Sequence, residues 1–514
     1  MQKVRWALGA FLTFSIAKAQ VLSEPALYNR CYSHLTGKPV PLTSTIMPQV
    51  REGKVKALTA CASLLDKSQL SSGGPLVNYA DGEARSVLNN LYAFHRTWFS
   101  GNTMEQIQDY SAEISLGTMD VYDTTEPALA LTRAALAQGA RYADVLTLGV
   151  GVAAIREENQ KIRAQIGWNI TAPGRAIYGN NGAYDLNVVN FRHYTAPFSG
   201  DSNAGFSYFA QMPKIAVGEL TGIRPRTGDV FTVPNVSLAP LASDRRGNEQ
   251  PGLNYSYNFY STMGGGVLGS PIYMLLNFGH GFGVNSNGAL KLPRRWSQSN
   301  MSSFLCAELP ALRESDIQAF IIGNSTTPFR NSASCVLCHA SLDQMAYTAR
   351  NAVVANSDYF QISAGPYNHA KPVMMLATYR QEIASVNGWP SETVPDFHRQ
   401  VASGRLYFRS VTGELINRSV TGVAQLGAAM SETSDFYQCA AKRYFEYLSG
   451  IKVALYDRQD PKNAPLNESL SAQAAADRVY IEKLGQELRA SQSIPNLIKT
   501  IMASDYYRHA NYRP

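Results

Sequence analysis

The pentapeptide Cys335-Val-Leu-Cys338-His339 constrains this chain more than any other stretch of its sequence. Cysteine is scarce, with 6 among 514 residues, yet two lie three positions apart and a histidine directly follows the second. Zinc sites, redox-active dithiols and covalent attachment sites for haem all use a Cys-x-x-Cys pair. Each needs a different context in the surrounding sequence, and that context distinguishes them.

The context of the pentapeptide favours haem attachment. A zinc site needs about four ligands, and the chain has no second Cys-x-x-Cys to supply them. A thioredoxin-like dithiol opens a helix after a strand, whereas TTPFRNSAS at 326–334 is not a strand-like apolar run. In c-type attachment, two thiols add to the vinyl groups of the haem and the adjoining histidine binds the iron. The sequence therefore predicts one haem c, covalently held by Cys335 and Cys338, with His339 as an iron ligand.

The second axial ligand of the iron decides what such a haem does. A methionine or a second histidine gives a closed iron suited to electron transfer, whereas an open position permits oxygen or peroxide chemistry. Met375, in the segment HAKPVMMLATYR, lies far enough beyond His339 for the chain to wrap around the ring. We expect Met375 to be this ligand, with Met374 and His369 as alternatives. The two methionines could instead fill a core, which is a common role of this residue.

The N-terminus has the pattern of a secretory signal peptide. Lys3 and Arg5 precede the apolar run WALGAFLTFSIA, which is too short to span a bilayer, and Ala-Lys-Ala at 17–19 fits the cleavage rule. We expect residues 1–19 to be removed and the mature protein to be exported to the periplasm or the exterior of a bacterial cell. The sequence shows neither a later apolar run of membrane-spanning length nor a basic run interleaved with aromatics. A transmembrane segment and nucleic-acid binding are therefore not expected.

Four cysteines lie outside the pentapeptide, and an exported protein tends to pair its thiols. They are Cys31, Cys61, Cys306 and Cys439. Pairing the nearest neighbours, Cys31 and Cys61, would leave Cys306 and Cys439 to join the segment before the pentapeptide to the C-terminal helices. Connectivity does not follow from sequence, so the other two pairings and four free thiols stay open.

The spacing of apolar residues predicts a mainly α-helical protein with long loops that encloses a cytochrome-c-like haem site. Residues 20–190 are predicted to form an N-terminal helical domain, as in KVKALTACASLLDKSQL. Residues 191–295 are rich in Gly, Pro and aromatics without sustained periodicity, which indicates loops and short strands. Residues 296–400 carry the haem-attachment segment and a loop excursion. Residues 401–514 return to a helical pattern, and SIPNLIKTIMAS has a capping serine at 493.

Three stretches of the second half of the chain resemble a known group of proteins. They are RRWSQSNMSSFLCAELPAL, FRNSASCVLCHASLDQMAY and VTGVAQLGAAMSETSDFYQCAAKRYFEYLSG, in that order. Over residues 260–514 the chain resembles large exported bacterial proteins of unknown function that carry a single cytochrome-c-like haem-attachment motif. In that group a Leu-Leu-Cys … Leu-Pro segment precedes the motif and a Ser … Phe … Cys … Tyr … Gly helix follows it. The matching positions here are Leu305, Cys306, Leu309, Pro310, Ser434, Phe436, Cys439, Tyr447 and Gly450.

The resemblance implies the cofactor and the compartment more than a reaction. The group often continues Cys-His-x-x-Met-Asp-Pro, whereas this chain has Ala-Ser-Leu-Asp-Gln at 340–344, so the methionine and the proline are both replaced. We expect an exported monohaem c-type cytochrome-like protein that exchanges single electrons with a partner protein. Two alternatives stay open: a haem-dependent oxidase or peroxidase with an open sixth iron position, and a non-redox binding or structural protein with a structural haem.

Overall fold

The computed structural model describes residues 20–99, 125–156, 219–226, 262–277, 293–325, 330–349 and 401–513, together with the backbone of eight further strands. The predicted signal peptide, residues 1–19, lies outside the described residues. Helices dominate the described part of the chain, which confirms the prediction of a mainly α protein. The helices are α1 (Glu24–Thr36), α2 (Ile46–Arg51), α3 (Ala57–Lys67), α4 (Gly82–Thr97), α5 (Glu126–Leu136), α6 (Asp144–Thr147), α7 (Pro271–Asn277), α8 (Arg294–Asn300), α9 (Ala333–Ala346), α10 (Gly422–Ser431), α11 (Ser434–Ser449), α12 (Ala464–Glu468), α13 (Ala472–Ser491), α14 (Ile494–Ala503) and α15 (Asp505–Arg508).

The described strands are short and pair in antiparallel fashion. A six-stranded sheet has the order β5-β4-β9-β10-β8-β7, and three two-stranded sheets pair β1 with β6, β2 with β3 and β11 with β12. The strands are β1 (Gly151–Arg156), β2 (Gly167–Ala172), β3 (Arg175–Gly179), β4 (Val189–His193), β5 (Phe206–Tyr208), β6 (Leu220–Arg226), β7 (Phe231–Leu238), β8 (Leu253–Phe259), β9 (Ala352–Ser357), β10 (Met374–Tyr379), β11 (Ser403–Arg409) and β12 (Leu415–Thr421).

Local capping signals set the ends of the main helices. The Asp81 carboxylate accepts hydrogen bonds from two backbone N–H groups in the first turn of α4, and the Thr433 hydroxyl accepts one at the start of α11. The predicted cap of α14 is confirmed, since the Ser493 hydroxyl accepts a hydrogen bond from a backbone N–H of the first turn. Gly37 and Gly450 end α1 and α11 with φ of 69° and 71°. This left-handed conformation strongly favours glycine, which explains the residue type at both helix ends.

Helices from both ends of the chain share one hydrophobic core. His95 of α4 lies in this core with its Nδ1 2.7 Å from the Thr132 hydroxyl and its Nε2 2.6 Å from the Tyr444 hydroxyl. Burial lowers the pKa of His95 to about 3, so the ring is neutral. The segments predicted as N-terminal and C-terminal helical domains thus contribute side chains to the same core.

Arg30 of the first helix binds the C-terminal residues through several contacts. The Arg30 guanidinium donates to the carbonyl oxygens of Tyr507 and His509 at 2.7 Å each and to that of Ala510 at 2.8 Å. It also lies 3.9 Å from the centroid of the Tyr512 ring, a cation–π geometry. A planar fork with several donors suits this task better than the single ammonium of a lysine.

Residues 403–421 form a β-hairpin inside the segment predicted to be helical. Gly404, Leu406 and Phe408 of β11 are buried on one face of the strand, and Tyr407 on the opposite face is buried as well. Gly413 closes the turn with φ of 85°. Among the described helices, none has the length and apolar character that a bilayer crossing requires.

Candidate functional site

Cys335, Cys338 and His339 lie together on α9. Ser332 precedes this helix in an extended conformation, and a 3-10 turn at Tyr347–Ala349 follows it. Residues three and four positions apart occupy one face of an α-helix. The spacing of the pentapeptide therefore aligns two thiols and one imidazole in a single stripe, which we call the motif stripe.

The motif stripe borders the buried faces of α9. Val336, Leu337 and Ala340 are 1%, 6% and 0% exposed and anchor the helix to its neighbours. The three side chains of the motif stripe are each half-buried, and the His339 side chain is 24% exposed. The anchoring cluster is completed by Leu312, Ile317 and Tyr407. The apolar residues of α9 therefore pack in the interior, while its two thiols and its imidazole are partly exposed at the surface.

The cysteines of the motif stripe are the two that form no disulfide. All six cysteines are described, and the other four pair as Cys31–Cys61 and Cys306–Cys439, as the nearest-neighbour pairing predicts. Burial, and then the neighbouring Cys335 thiol, raise the pKa of the Cys338 thiol. Cys338 is therefore a neutral thiol at neutral pH.

The described residues do not complete a zinc site around the motif stripe. Within the described residues, no group of three or more His, Cys, Asp or Glu side chains is placed to hold a metal ion. A structural zinc needs four ligands that converge tetrahedrally on one point. Covalent haem attachment has a different requirement, two unpaired thiols three positions apart with a histidine next to the second, and the residues of the motif stripe fit it.

A buried ion pair lies behind the imidazole of His339. The Asp343 carboxylate, one helical turn further along α9, has its Oδ1 3.3 Å from the His339 Nδ1. Arg294, the first residue of α8, donates from Nε to Oδ1 at 2.5 Å and from a terminal nitrogen to Oδ2 at 3.1 Å. The Asp343 side chain is 0% exposed and that of Arg294 is 12% exposed. This fork–fork pairing fixes the orientation of the carboxylate that faces the ring.

Neighbouring elements hold α9 in place. Strand β11 packs against its last turn, and Gly404 makes the approach possible, because a Cβ there would lie 2.2 Å from the Gln344 carbonyl oxygen. Helix α8 packs along another side and carries Arg294. The disulfide Cys306–Cys439 ties the chain that leads into this region to the middle of α11.

The predicted second iron ligand is not tested by the described side chains. The backbone of Met375 lies in β10, opposite Ala355 of β9, while its side chain and that of Met374 lie outside the described ones. His369 lies outside the described residues altogether. Met345, on α9 itself, is 1% exposed and has its sulfur 3.7 Å from the Asn300 side-chain nitrogen, so it belongs to the core.

Sequence reasoning missed Asp343 and Arg294. The signal for Asp343 was present, since an acidic residue four positions after a histidine shares its helix face. Arg294 is 49 positions from Asp343, and no local pattern connects the two. Only the packing of α8 against α9 brings the guanidinium to the carboxylate.

In comparisons with protein-family models, curated proteins and solved structures, nothing matches the chain. The functional assignment therefore rests on the motif stripe and the residues that surround it.

Proposed function

We propose that this protein is an exported monohaem c-type cytochrome-like protein that transfers single electrons. The observation that supports the proposal most strongly is the motif stripe on α9. It presents two thiols that form no disulfide and one imidazole at the spacing of c-type haem attachment. The pentapeptide occurs once in the chain, so the proposal assigns one haem to the protein.

The residues of the motif stripe have distinct roles in this proposal. Cys335 and Cys338 would hold the haem, each through a thioether made by addition of its S–H across one vinyl group, an addition in which no atom is lost. The Nδ1 atom of His339 faces Asp343, so we assign the bond to iron to Nε2. The apolar residues of α9 keep the three side chains in register. When bound, the haem supplies a one-electron iron couple.

We further propose Met375 as the second axial ligand, with Met374 and His369 as alternatives. A thioether at this position closes the iron and suits it to electron transfer rather than to substrate binding. The support is the distance along the chain between His339 and Met375, which is sufficient for the segment to wrap around the ring.

We infer that the protein works outside the cytoplasm, in the periplasm or beyond the bacterial cell, with a redox partner protein. The two disulfides support this inference, because structural disulfides persist in oxidising compartments. The signal-peptide pattern of residues 1–19 and the resemblance of residues 260–514 to exported bacterial proteins point in the same direction.

A haem-dependent oxidase or peroxidase is the second candidate, and one observation favours it. The Asp343 carboxylate lies within hydrogen-bonding distance of the His339 imidazole. A carboxylate in this position makes a ligating histidine a stronger electron donor to its metal. Such donation favours oxidised iron, which an oxidase or peroxidase with an open sixth position would use.

Absorption spectra of the purified ferric and ferrous protein, with and without carbon monoxide, separate these functions. We expect a closed iron that resists carbon monoxide in the wild type, and prompt carbon monoxide binding in a Met375→Ala variant. Prompt binding by the wild type would contradict electron transfer through a closed iron and favour the oxidase or peroxidase. A haem that no donor reduces would favour a structural haem instead.

A further inference from the structure

We propose that Asp343, locked in place by Arg294, is a positioning residue that holds His339 through Nδ1 and lowers the reduction potential of the haem iron. This inference rests on the proposed function, since it concerns the same haem. It adds a statement that the motif does not contain, because the cysteines and the histidine alone do not specify the partner of the second ring nitrogen.

The geometry of three side chains carries this inference. The Asp343 Oδ1 lies 3.3 Å from the His339 Nδ1, and both residues sit on α9 one turn apart. Because a helix is rigid over one turn, this pairing is set by the backbone and does not depend on a flexible loop. A ring held at Nδ1 has a fixed orientation, and its Nε2 is carried to one defined position.

The burial of Asp343 shows that the carboxylate is built into the fold. Its side chain is 0% exposed, and an unpaired charge at such a depth is strongly unfavourable. Arg294 donates hydrogen bonds to both carboxylate oxygens, so the buried carboxylate has an opposite charge directly beside it. The fork of Arg294 also prevents rotation of the carboxylate away from the imidazole.

The carboxylate affects how strongly the His339 imidazole donates electrons to a bound iron. A carboxylate that accepts the Nδ1 proton raises the basicity of the other ring nitrogen and thereby stabilises the more positively charged state of a bound metal. Ferric iron is favoured over ferrous iron, and the potential falls. The protein would accordingly donate electrons more readily than a c-type site with a neutral partner at the same nitrogen.

The test is the midpoint potential of the haem-loaded protein, measured by spectroelectrochemistry, in the wild type and in Asp343→Asn. Asparagine keeps an oxygen acceptor of nearly the same shape and removes the charge. Changes to such outer partners typically alter metal binding by about 10- to 100-fold. Applied to the ratio of ferric to ferrous affinity, this change corresponds to a rise in potential of about 60 to 120 mV, at 59 mV for each factor of ten.

Asp316→Asn is the matched control. Asp316 is also a buried carboxylate, with a side chain 3% exposed, and it receives two hydrogen bonds from Arg409 at 2.9 and 2.6 Å. Its loss removes a comparable ion pair without touching His339. We expect the control to lose stability and to keep the wild-type potential, and an equal shift in both variants would overturn the positioning role.

A second measurement keeps the inference testable if Asp343→Asn does not fold. In the reduced wild-type protein with 15N-labelled histidine, the His339 Nδ1 proton should exchange slowly with solvent, because its acceptor is fully buried. Rapid exchange would overturn the inference. A wild-type protein without haem would overturn the proposed function itself. A haem-loaded protein whose midpoint potential is the same in the wild type and in Asp343→Asn would overturn only this inference.

Discussion

Asp316 and Asp435 both have buried side chains, but their carboxylates have different hydrogen-bonding partners. Burial alone would raise the pKa of Asp316, but the hydrogen bonds from Arg409 and from the backbone N–H of Arg313, together with the charges of both arginines, outweigh burial and lower it. Asp435, at the start of α11, is held instead by the backbone N–H of Val411 at 2.8 Å. Burial, only partly opposed by this hydrogen bond, raises the pKa of Asp435 to about 6. The charged form of Asp435 therefore weakens the folded state.

Replacement of Asp435 by asparagine should remove one component of the pH dependence of stability. A carboxyl whose pKa rises from 3.8 to about 6 on folding binds more protons when folded, so its contribution to stability falls as pH increases through this interval. The free energy of unfolding of the wild type, relative to Asp435→Asn, should fall by about 2.4 kcal/mol between pH 4 and pH 7. Urea denaturation at several pH values measures this difference, and parallel curves for the two proteins would contradict it.

The residues of the candidate site could be predicted only in part from the sequence. Cys335, Cys338 and His339 stand out because their spacing is short and specific. Asp343 follows the same helical register and could have been found from it. Arg294 could not, because its role depends on how two helices pack, and no local pattern in the sequence reports that packing.

At the scale of elements, the amphipathic helices were predicted correctly and the hairpin β11–β12 was not. Helices such as α3, α4 and α11 place apolar residues on one face with a 3.6-residue period, which the sequence displays directly. The hairpin lies directly before strong helical patterns, and its buried face includes a glycine. The reason for that glycine becomes visible only when β11 meets the end of α9.

The glycine at position 404 should be required for the packing of β11 on α9. In Gly404→Ala the new Cβ would lie 2.2 Å from the Gln344 carbonyl oxygen and 3.0 Å from the Thr348 methyl carbon, so strand and helix must separate. We expect a loss of about 1 to 3 kcal/mol in the free energy of unfolding, measured by urea denaturation.

Gly323→Ala serves as the control for this substitution, because nothing lies within 4 Å of a Cβ at that position. The control should be neutral or slightly stabilising, since alanine reduces the freedom of the unfolded chain. Equal stability of the two variants would show that β11 does not approach α9 as closely as described.

At the scale of the whole molecule, the two ends of the chain form one folded unit. Side chains of α1 and α15, and of most helices between them, belong to a single hydrophobic cluster, and Arg30 binds the C-terminal residues to α1. The sequence predicts an N-terminal and a C-terminal helical domain, and buried side chains of both segments belong to this cluster. Contacts between distant segments leave no periodic signal, so these contacts could not be predicted from the sequence.

The two disulfides should stabilise this unit unequally. The Cys306–Cys439 disulfide closes a sequence separation of 133 residues and Cys31–Cys61 one of 30. Loop-closure entropy predicts losses of about 5 and about 3.5 kcal/mol when each pair is replaced by alanines. Denaturation of Cys306→Ala/Cys439→Ala and Cys31→Ala/Cys61→Ala, measured side by side, tests this order. A larger loss for the shorter loop would contradict it.

The mass of the tryptic peptide spanning residues 331–350 tests haem attachment most directly. The protein would be produced with its signal peptide in a bacterial host that has working c-type maturation, then denatured and digested. We predict that this peptide carries the added mass of one haem, and that Cys335→Ala/Cys338→Ala yields colourless protein whose peptide shows no added mass. A wild-type peptide with the mass of its amino acids alone would contradict covalent haem attachment and the electron-transfer function proposed from it.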